Sequence, residues 1–212
     1  MIADPPRPSD APIREFLTAL ASADSSNGAV SAAAVAGAMG ASLLLKVTAL
    51  PTTKSDSLDE RTVLVRAGTV LGDVQEQLIE AVETETLVKL FAARNMPQAS
   101  QKERSRRQAA IQLALRAAAD VPLEVIRLCA LGLRQAQMIA AASCGAAGTD
   151  VELAVALLRV AATAARSNLE ARLSSLTDVA YVKAVVEEIS HLSEEATTAA
   201  RAAELAVKPP PA

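Results

Sequence analysis

The chain has 212 residues, enough for one domain with a sizeable core. Hydrophobic residues make up 51% of it but aromatics only 1%, so the core is built from Ala, Leu, Val and Ile, and Ala and Leu favour helix over strand. The net charge of −3 argues against a nucleic-acid protein, which needs a basic face, and the 2 cysteines have neither metal-ligand nor redox spacing.

Composition therefore predicts an all-α protein. Residues 1–9 are Pro-rich without a periodic pattern and read as a disordered tail; a single domain is expected over 10–207, with a second Pro-rich tail over 208–212. Asp10 is the expected N-cap of a first helix, with Pro12 just inside it and Ile13, Phe16, Leu17 and Leu20 on one apolar stripe. The polar turn Asp24-Ser25-Ser26-Asn27-Gly28 then enters a long segment of small apolar residues that runs to Leu50, where Pro51 stops it. Side chains at Ala33, Gly37, Gly40 and Ala41 are small enough for neighbouring helices to come close. The segment is long enough to tempt a membrane reading, but it is mostly Ala and Gly, carries Lys46 and starts like a soluble helix, so no membrane partner is expected. The N-terminus lacks the apolar region of a secretion signal, and Cys129 and Cys144 sit in apolar helical surroundings; buried thiols in a reducing cytosol are expected.

A polar connection, Thr52 to Asp59, contains Lys54. A third helix is predicted from Glu60 to Arg94, with Leu71, Val74, Leu78, Val82 and Leu87 on one side and Gly68 and Gly72 allowing a close approach or a bend. After a turn at Pro97, a fourth helix begins at Gln101, carries Ile111, Leu115 and Ala118, and is expected to break or kink at Asp120-Val121-Pro122 before resuming over Leu123 to Ala142. The loop Ser143 to Thr149 opens a fifth helix from Asp150 to about Leu173, and Asp178 caps a last one reaching Ala206. The run Lys102, Arg104, Arg106, Arg107 is interrupted by Glu103 and has no aromatic partner, so it reads as a solvated face.

Chemistry has few candidate positions. The entry at Asn27-Gly28 leaves backbone N–H groups able to hold an anion, although an ordinary turn accounts for the same residues. Asp150 caps a helix, or else stands as a persistent anion facing a cation. Glu83 and Glu85 cannot share a helix face, so at most one points inward. His191 has Glu187 and Glu195 one turn to either side, but a lone His in a Glu-rich terminal helix reads as surface, and no metal is expected. There is no phosphate loop, dinucleotide fingerprint, nucleophile elbow or zinc motif.

Several stretches together resemble the cyclodeaminase/cyclohydrolase family, which comprises the C-terminal domain of formiminotransferase-cyclodeaminase and bacterial methenyltetrahydrofolate cyclohydrolases. They are Phe16-Leu17-Thr18-Ala19-Leu20-Ala21-Ser22, Ser31 through Ala41, Ala110-Ile111-Gln112 with Ala114-Leu115, Asp120-Val121-Pro122-Leu123, and Thr149-Asp150 with Asn168 downstream. The resemblance implies an up-and-down helical bundle of the formimidoyltetrahydrofolate cyclodeaminase type that dimerises, with a tetrahydrofolate derivative as small-molecule substrate or ligand near the glycine loop. In that reading Asp150 stabilises the positive amidinium carbon, Glu83 manages protons and Lys54 holds the glutamate tail, while Asn27, Gly28, Ser31, Thr149 and Asn168 bind substrate. The chain departs from the family's Pro-Gly-Gly-Gly-Ser/Thr loop: Gly28 and Ser31 match, but Ala29 and Val30 add Cβ atoms where the family brings bare backbone to the ligand. A second Asn one turn after Asn168 is replaced by Arg172, the Lys-rich segment is reduced to Lys54, and an acidic-aromatic motif to Glu83 and Glu85. Three functions fit: a folate cyclohydrolase or cyclodeaminase, a divergent enzyme acting on another cyclic iminium or one-carbon adduct, and a non-catalytic helical dimer.

Overall fold

The computed structural model describes residues 12–22, 28–92, 100–143 and 145–207. The two expected tails, Asp10 and Cys144 lie outside the described residues. Among the described residues six α-helices follow in order: α1 (Ile13–Ala21), α2 (Ala29–Thr48), α3 (Leu58–Ala92), α4 (Gln101–Ala142), α5 (Gly148–Leu173) and α6 (Val179–Val207). The described residues contain no strand beyond an isolated antiparallel bridge between Thr53 and Ser143.

α2 is the central helix, and its lack of side-chain bulk is what lets three others reach it. Ala33, Ala34, Gly37, Ala38, Gly40, Ala41 and Leu44 are buried against α3, α4 and α5. At Gly40 a Cβ would stand 2.9 Å from Leu158 Cγ and 3.0 Å from the backbone oxygen of Ala154, so only glycine permits that crossing. The contacts also set the register. Lys46 meets Asp150 and Gly40 meets Leu158, so α2 and α5 run antiparallel. Ser42 accepts from Gln75 Nε2 at 2.6 Å, and Gly68 touches Thr48, so α2 and α3 run antiparallel too. α2, α4 and α6 point one way and α3 and α5 the other, which is the up-and-down order. By length and composition α2 could cross a bilayer, yet its apolar residues are spent on the core of this bundle.

The pairing of α4 with α6 reads as a ladder with a seven-residue step. The Tyr181 hydroxyl donates to Asp120 at 2.6 Å, Arg127 binds Glu188 through two hydrogen bonds of 2.6 and 3.0 Å, and Arg134 reaches Glu195 at 2.8 Å. The Arg127 guanidinium holds the Glu188 carboxyl below the usual range, and Glu188 in turn raises the Arg127 pKa. These pairs are solvent-exposed, so each contributes about 0–1 kcal/mol; their role is to fix which residues of the parallel helices face each other. Cys129 is fully buried beside Gly37, and burial pushes its thiol up to about 12, which leaves it unreactive.

Pro122 does not break α4. The helix continues from Gln101 to Ala142 with Pro122 inside it, contrary to the expected interruption. A proline at this position has no N–H for the carbonyl four residues back, that of Ala118. Arg172 of α5 donates to that same carbonyl, so the orphaned acceptor is satisfied from the neighbouring helix. Arg172→Met is therefore expected to cost about 1–2 kcal/mol in urea unfolding, and clearly less in a Pro122→Ala background, where an intrahelical N–H returns to the Ala118 carbonyl. Equal costs in the two backgrounds would show that the bond does not compensate for the proline.

Smaller departures have local causes. α1 starts at Ile13, and Pro12 is its N-cap, not its first turn; the Pro12 carbonyl accepts from Glu15 at 2.8 Å and from Phe16 at 3.1 Å. Ser100 and Glu103 form a reciprocal capping box at the start of α4, which gives the acidic residue within the basic run a structural role. Asp178 caps α6 as expected, accepting from the Tyr181 N–H at 3.0 Å. Ile111 remains 39% exposed, so the stripe predicted for the first half of α4 is not core. Leu71, Val74, Leu78 and Val82 are core as expected.

Candidate functional site

The residues singled out from sequence fall at opposite ends of the bundle. At the end where α2 begins, Gly28 is the N-cap in an extended conformation, its carbonyl accepts from Ala32 N–H at 3.0 Å, and no side chain among the described residues caps the helix. Asn27 lies outside the described residues. Ser31 is completely buried one turn inside, and its hydroxyl has no hydrogen-bond partner among the described residues. A buried polar atom left unsatisfied costs about 1–3 kcal/mol, so its presence beside the helix entry calls for a reason. The antiparallel register puts Asn168 of α5 level with Gly28, half-buried, its amide donating to the Ala164 carbonyl at 3.1 Å. Glu83 belongs to α3 at about the level of Ala33, but its side chain and that of Glu85 lie outside the described residues.

At the other end, the loop after α2 folds back under the C-terminus of α4. The Lys54 N–H donates to the Ala142 carbonyl at 3.0 Å, and Thr53 bridges to Ser143. Arg61 clamps the end of α2 by donating to the carbonyls of Leu50 at 2.8 Å and Pro51 at 2.6 Å. Glu60 accepts from the Ser55 N–H at 2.9 Å, and that bond holds its carboxyl below the usual range. The Lys54 and Thr149 side chains are exposed here. Asp150 is not the capping residue expected. α5 begins at Gly148 with Ala147 as N-cap and no side-chain cap, so Asp150 is the third helical residue. Its carboxylate meets Lys46 of α2 at 2.8 Å. Nothing in the sequence ties these two together, because they are in register only once α2 and α5 pack antiparallel.

At 1.5 Å per residue, the span from Gly28 to Lys46 is about 27 Å. Within one chain, therefore, Gly28, Ser31 and Asn168 lie at the level of one end of α2, and Lys54, Thr149 and Asp150 at the level of the other. His191 is exposed on α6, with Glu195 engaged by Arg134 and Glu187 near Lys183. Among the described residues no three His, Cys, Asp or Glu side chains gather in a metal-ligating group.

Helices α2 to α6 thus form an up-and-down bundle around a helix of small residues, with polar groups at both of its ends. Residues 12–191 match the family model for formiminotransferase-cyclodeaminase, and the chain belongs to that family. It is 29% identical over 188 residues to the methenyltetrahydrofolate cyclohydrolase of Methylorubrum extorquens, across 87% of this chain and 89% of that protein. Its fold superimposes on the crystal structure of formiminotetrahydrofolate cyclodeaminase from Thermotoga maritima with a TM-score of 0.82, covering 93% of this chain and 96% of that one at 18% identity. The resemblance and the fold class read from the sequence are both borne out.

Proposed function

We propose that this protein hydrolyses methenyltetrahydrofolate. The observation that carries the reading is the match to the cyclohydrolase, which extends over nearly the full length of both proteins. The substrate is an amidinium cation. Water adds to its central carbon and releases one proton; one carbon–nitrogen bond then breaks, the nitrogen keeps the electron pair and takes the remaining hydroxyl proton, and the carbon is left as a formyl group. In this reading Asp150 supplies the negative charge that favours the cationic carbon, Glu83 receives the proton of the attacking water, and Lys54 pairs with the carboxylates of the glutamate tail. Asn27, Gly28, Ser31, Thr149 and Asn168 hold the remainder, the α2 N-terminus favouring an anionic or carbonyl group.

One observation favours a second reading. Ala29 and Val30 are helical, and Val30 is 1% exposed in the core, so the chain does not present the bare backbone loop of its family. A site shaped in this way suits a divergent enzyme acting on another cyclic iminium or one-carbon adduct. The test is to follow loss of the methenyl chromophore with purified protein, and ammonia release from the formimino compound in parallel. Methenyl turnover above the spontaneous rate is the expected result. Ammonia release without methenyl hydrolysis would reassign the reaction to deamination, and neither activity, with no folate binding by calorimetry, would remove folate from the function.

A further inference from the structure

We propose that a cleft between α5 and α6, floored by α4, binds a free amino acid with an aliphatic side chain. α6 packs on α4 and α5, outside the ring of helices that closes around α2. None of the residues that line this cleft is a candidate folate contact, so the two sites stand or fall separately.

The cleft is a gap in the packing of α6. That helix buries Val185 and Ile189 near its start and Ala199, Ala200 and Ala203 near its end. Between them Leu192 and Ala196 continue the same stripe but are only half-buried. α5 opposes them with Ala162 and Thr163, whose side chains are short, and a cavity of about 430 Å³ is left. Its floor is apolar, made by the buried Ile126, Ala130 and Leu133 of α4. Two links between the helices bound it: Arg159 donates to Glu204 at 3.0 Å, and Arg166 donates to Ser193 Oγ at 3.2 Å. Ligand sites run from roughly 300 to 1,000 Å³, so this volume suits a small molecule.

The polar groups above this floor select the chemistry. Arg159 and Arg166 stand seven residues apart on one face of α5, about 10 Å along its axis. A guanidinium has five N–H donors; among the described residues Glu204 takes one from Arg159, and Glu170 and Ser193 take two from Arg166. Donors therefore remain for a carboxylate. The hydroxyls of Thr163, Ser193 and Thr197 each donate to the carbonyl four residues back, at 2.8, 2.7 and 2.8 Å. Their protons are spent, so toward a ligand they act as acceptors, which suits an ammonium group. Glu204 and Glu170 balance the two arginines, and a cleft that is neutral overall favours a zwitterion over a plain anion or cation. An aliphatic amino acid has the three matching parts. Its carboxylate meets Arg166, its ammonium meets the oxygens of Thr163 and Thr197, and its side chain lies on Ala130, Leu133 and Ala162. A purely apolar compound would fill the floor but leave the polar rim desolvated and unpaired.

Calorimetry with L-leucine tests the assignment on the native chain, beside three compounds that each lack one part. These are 4-methylpentanoate, without the ammonium; 3-methylbutylamine, without the carboxylate; and alanine, without the apolar body. Leucine should bind, and each of the three should bind at least tenfold more weakly. Ala162→Leu and Ala196→Leu fill the cavity from opposite walls, and each variant that keeps native helicity by circular dichroism should lose leucine binding. Arg166→Gln should weaken it by about ten- to a hundredfold, the worth of a hydrogen bond to a charged group. A second apolar cleft, walled by Phe16, Leu17, Met39 and Ile79, has no charged side chain among its described lining residues. Leu17→Ser in that cleft should bind leucine as the native chain does. No leucine binding at millimolar concentration overturns the proposal. So does binding that survives in a folded cavity-filled variant, or that is lost with Leu17→Ser. Equal affinity for 4-methylpentanoate or 3-methylbutylamine overturns the amino-acid assignment, and unchanged binding in Arg166→Gln does the same. Where neither cavity-filled variant folds, Arg166→Gln and the three analogues decide.

Discussion

Replacing Val30 with glycine is expected to lower stability by about 3 kcal/mol. Burying a valine side chain is worth roughly 1.5–3 kcal/mol, and glycine in a helix costs about 1 kcal/mol more than alanine. Val30 is 1% exposed among the core residues and occupies the second position of α2, so both losses fall on it. For a chain of this length the melting temperature should drop by about 6–12 °C. Ala29 is exposed at the first position of the same helix, and Ala29→Gly should change stability little. The contrast matters for function. From the sequence, Ala29 and Val30 stand as a pair that encumbers a glycine loop, and restoring both glycines suggests a gain in folate affinity. In the folded chain only Ala29 is available to a ligand, whereas Val30 belongs to the packing of α2. Ala29→Gly alone is the informative variant for binding. A Val30→Gly protein that melts with the native one would show that this end of α2 is not packed as described.

Much of the fold is legible in the sequence for one reason. A core with almost no aromatic residues leaves the 3.6-residue period of Ala, Leu and Val as the dominant signal, and α2, α3, α5 and α6 follow it to within a few residues. The failures occur where a remote partner decides a local outcome. Pro122 is read as an interruption because the rule for proline is local, while the donor that relieves it, Arg172, arrives from another helix. Arg172 itself reads as the loss of an expected asparagine, and its gain is invisible until α4 and α5 are set side by side. The candidate site shows the same limit more sharply. A resemblance carries Gly28, Ser31, Thr149, Asp150 and Asn168 forward as one group, because motifs are collected along the chain without register. Register divides them: Asn168 lies level with Gly28, and Asp150 with Lys46, at opposite ends of α2. Lys46 carries no motif, and the burial of the Ser31 hydroxyl without a partner among the described residues is seen only in the fold.

Asp150→Asn is expected to reduce methenyltetrahydrofolate hydrolysis by two to three orders of magnitude, about 2.7–4 kcal/mol in the barrier, with only a minor change in stability. The stability side follows from position. Asp150 does not cap α5, so the substitution removes an exposed ion pair with Lys46 and one favourable charge near a helix N-terminus, together about 1 kcal/mol. The asparagine oxygen can still accept from Lys46, so the clasp between α2 and α5 is loosened and not lost. The rate side follows from charge. With Asp150 ionised, the pair with Lys46 is neutral as a unit and presents a carboxylate edge to a cationic carbon. With asparagine, the unit becomes a net cation facing a cationic substrate. Removing the lysine instead separates this account from a purely structural one. Lys46→Met leaves the carboxylate in place and should keep turnover within several-fold of native, while Lys46→Met combined with Asp150→Asn should restore part of what Asp150→Asn alone loses, because the surplus positive charge is gone. Turnover of the three variants, read beside their melting temperatures, decides between the roles. If Asp150→Asn and Lys46→Met lower the melting temperature alike and both leave turnover unchanged, Asp150 is a link between two helices and the reacting cation is met by other residues.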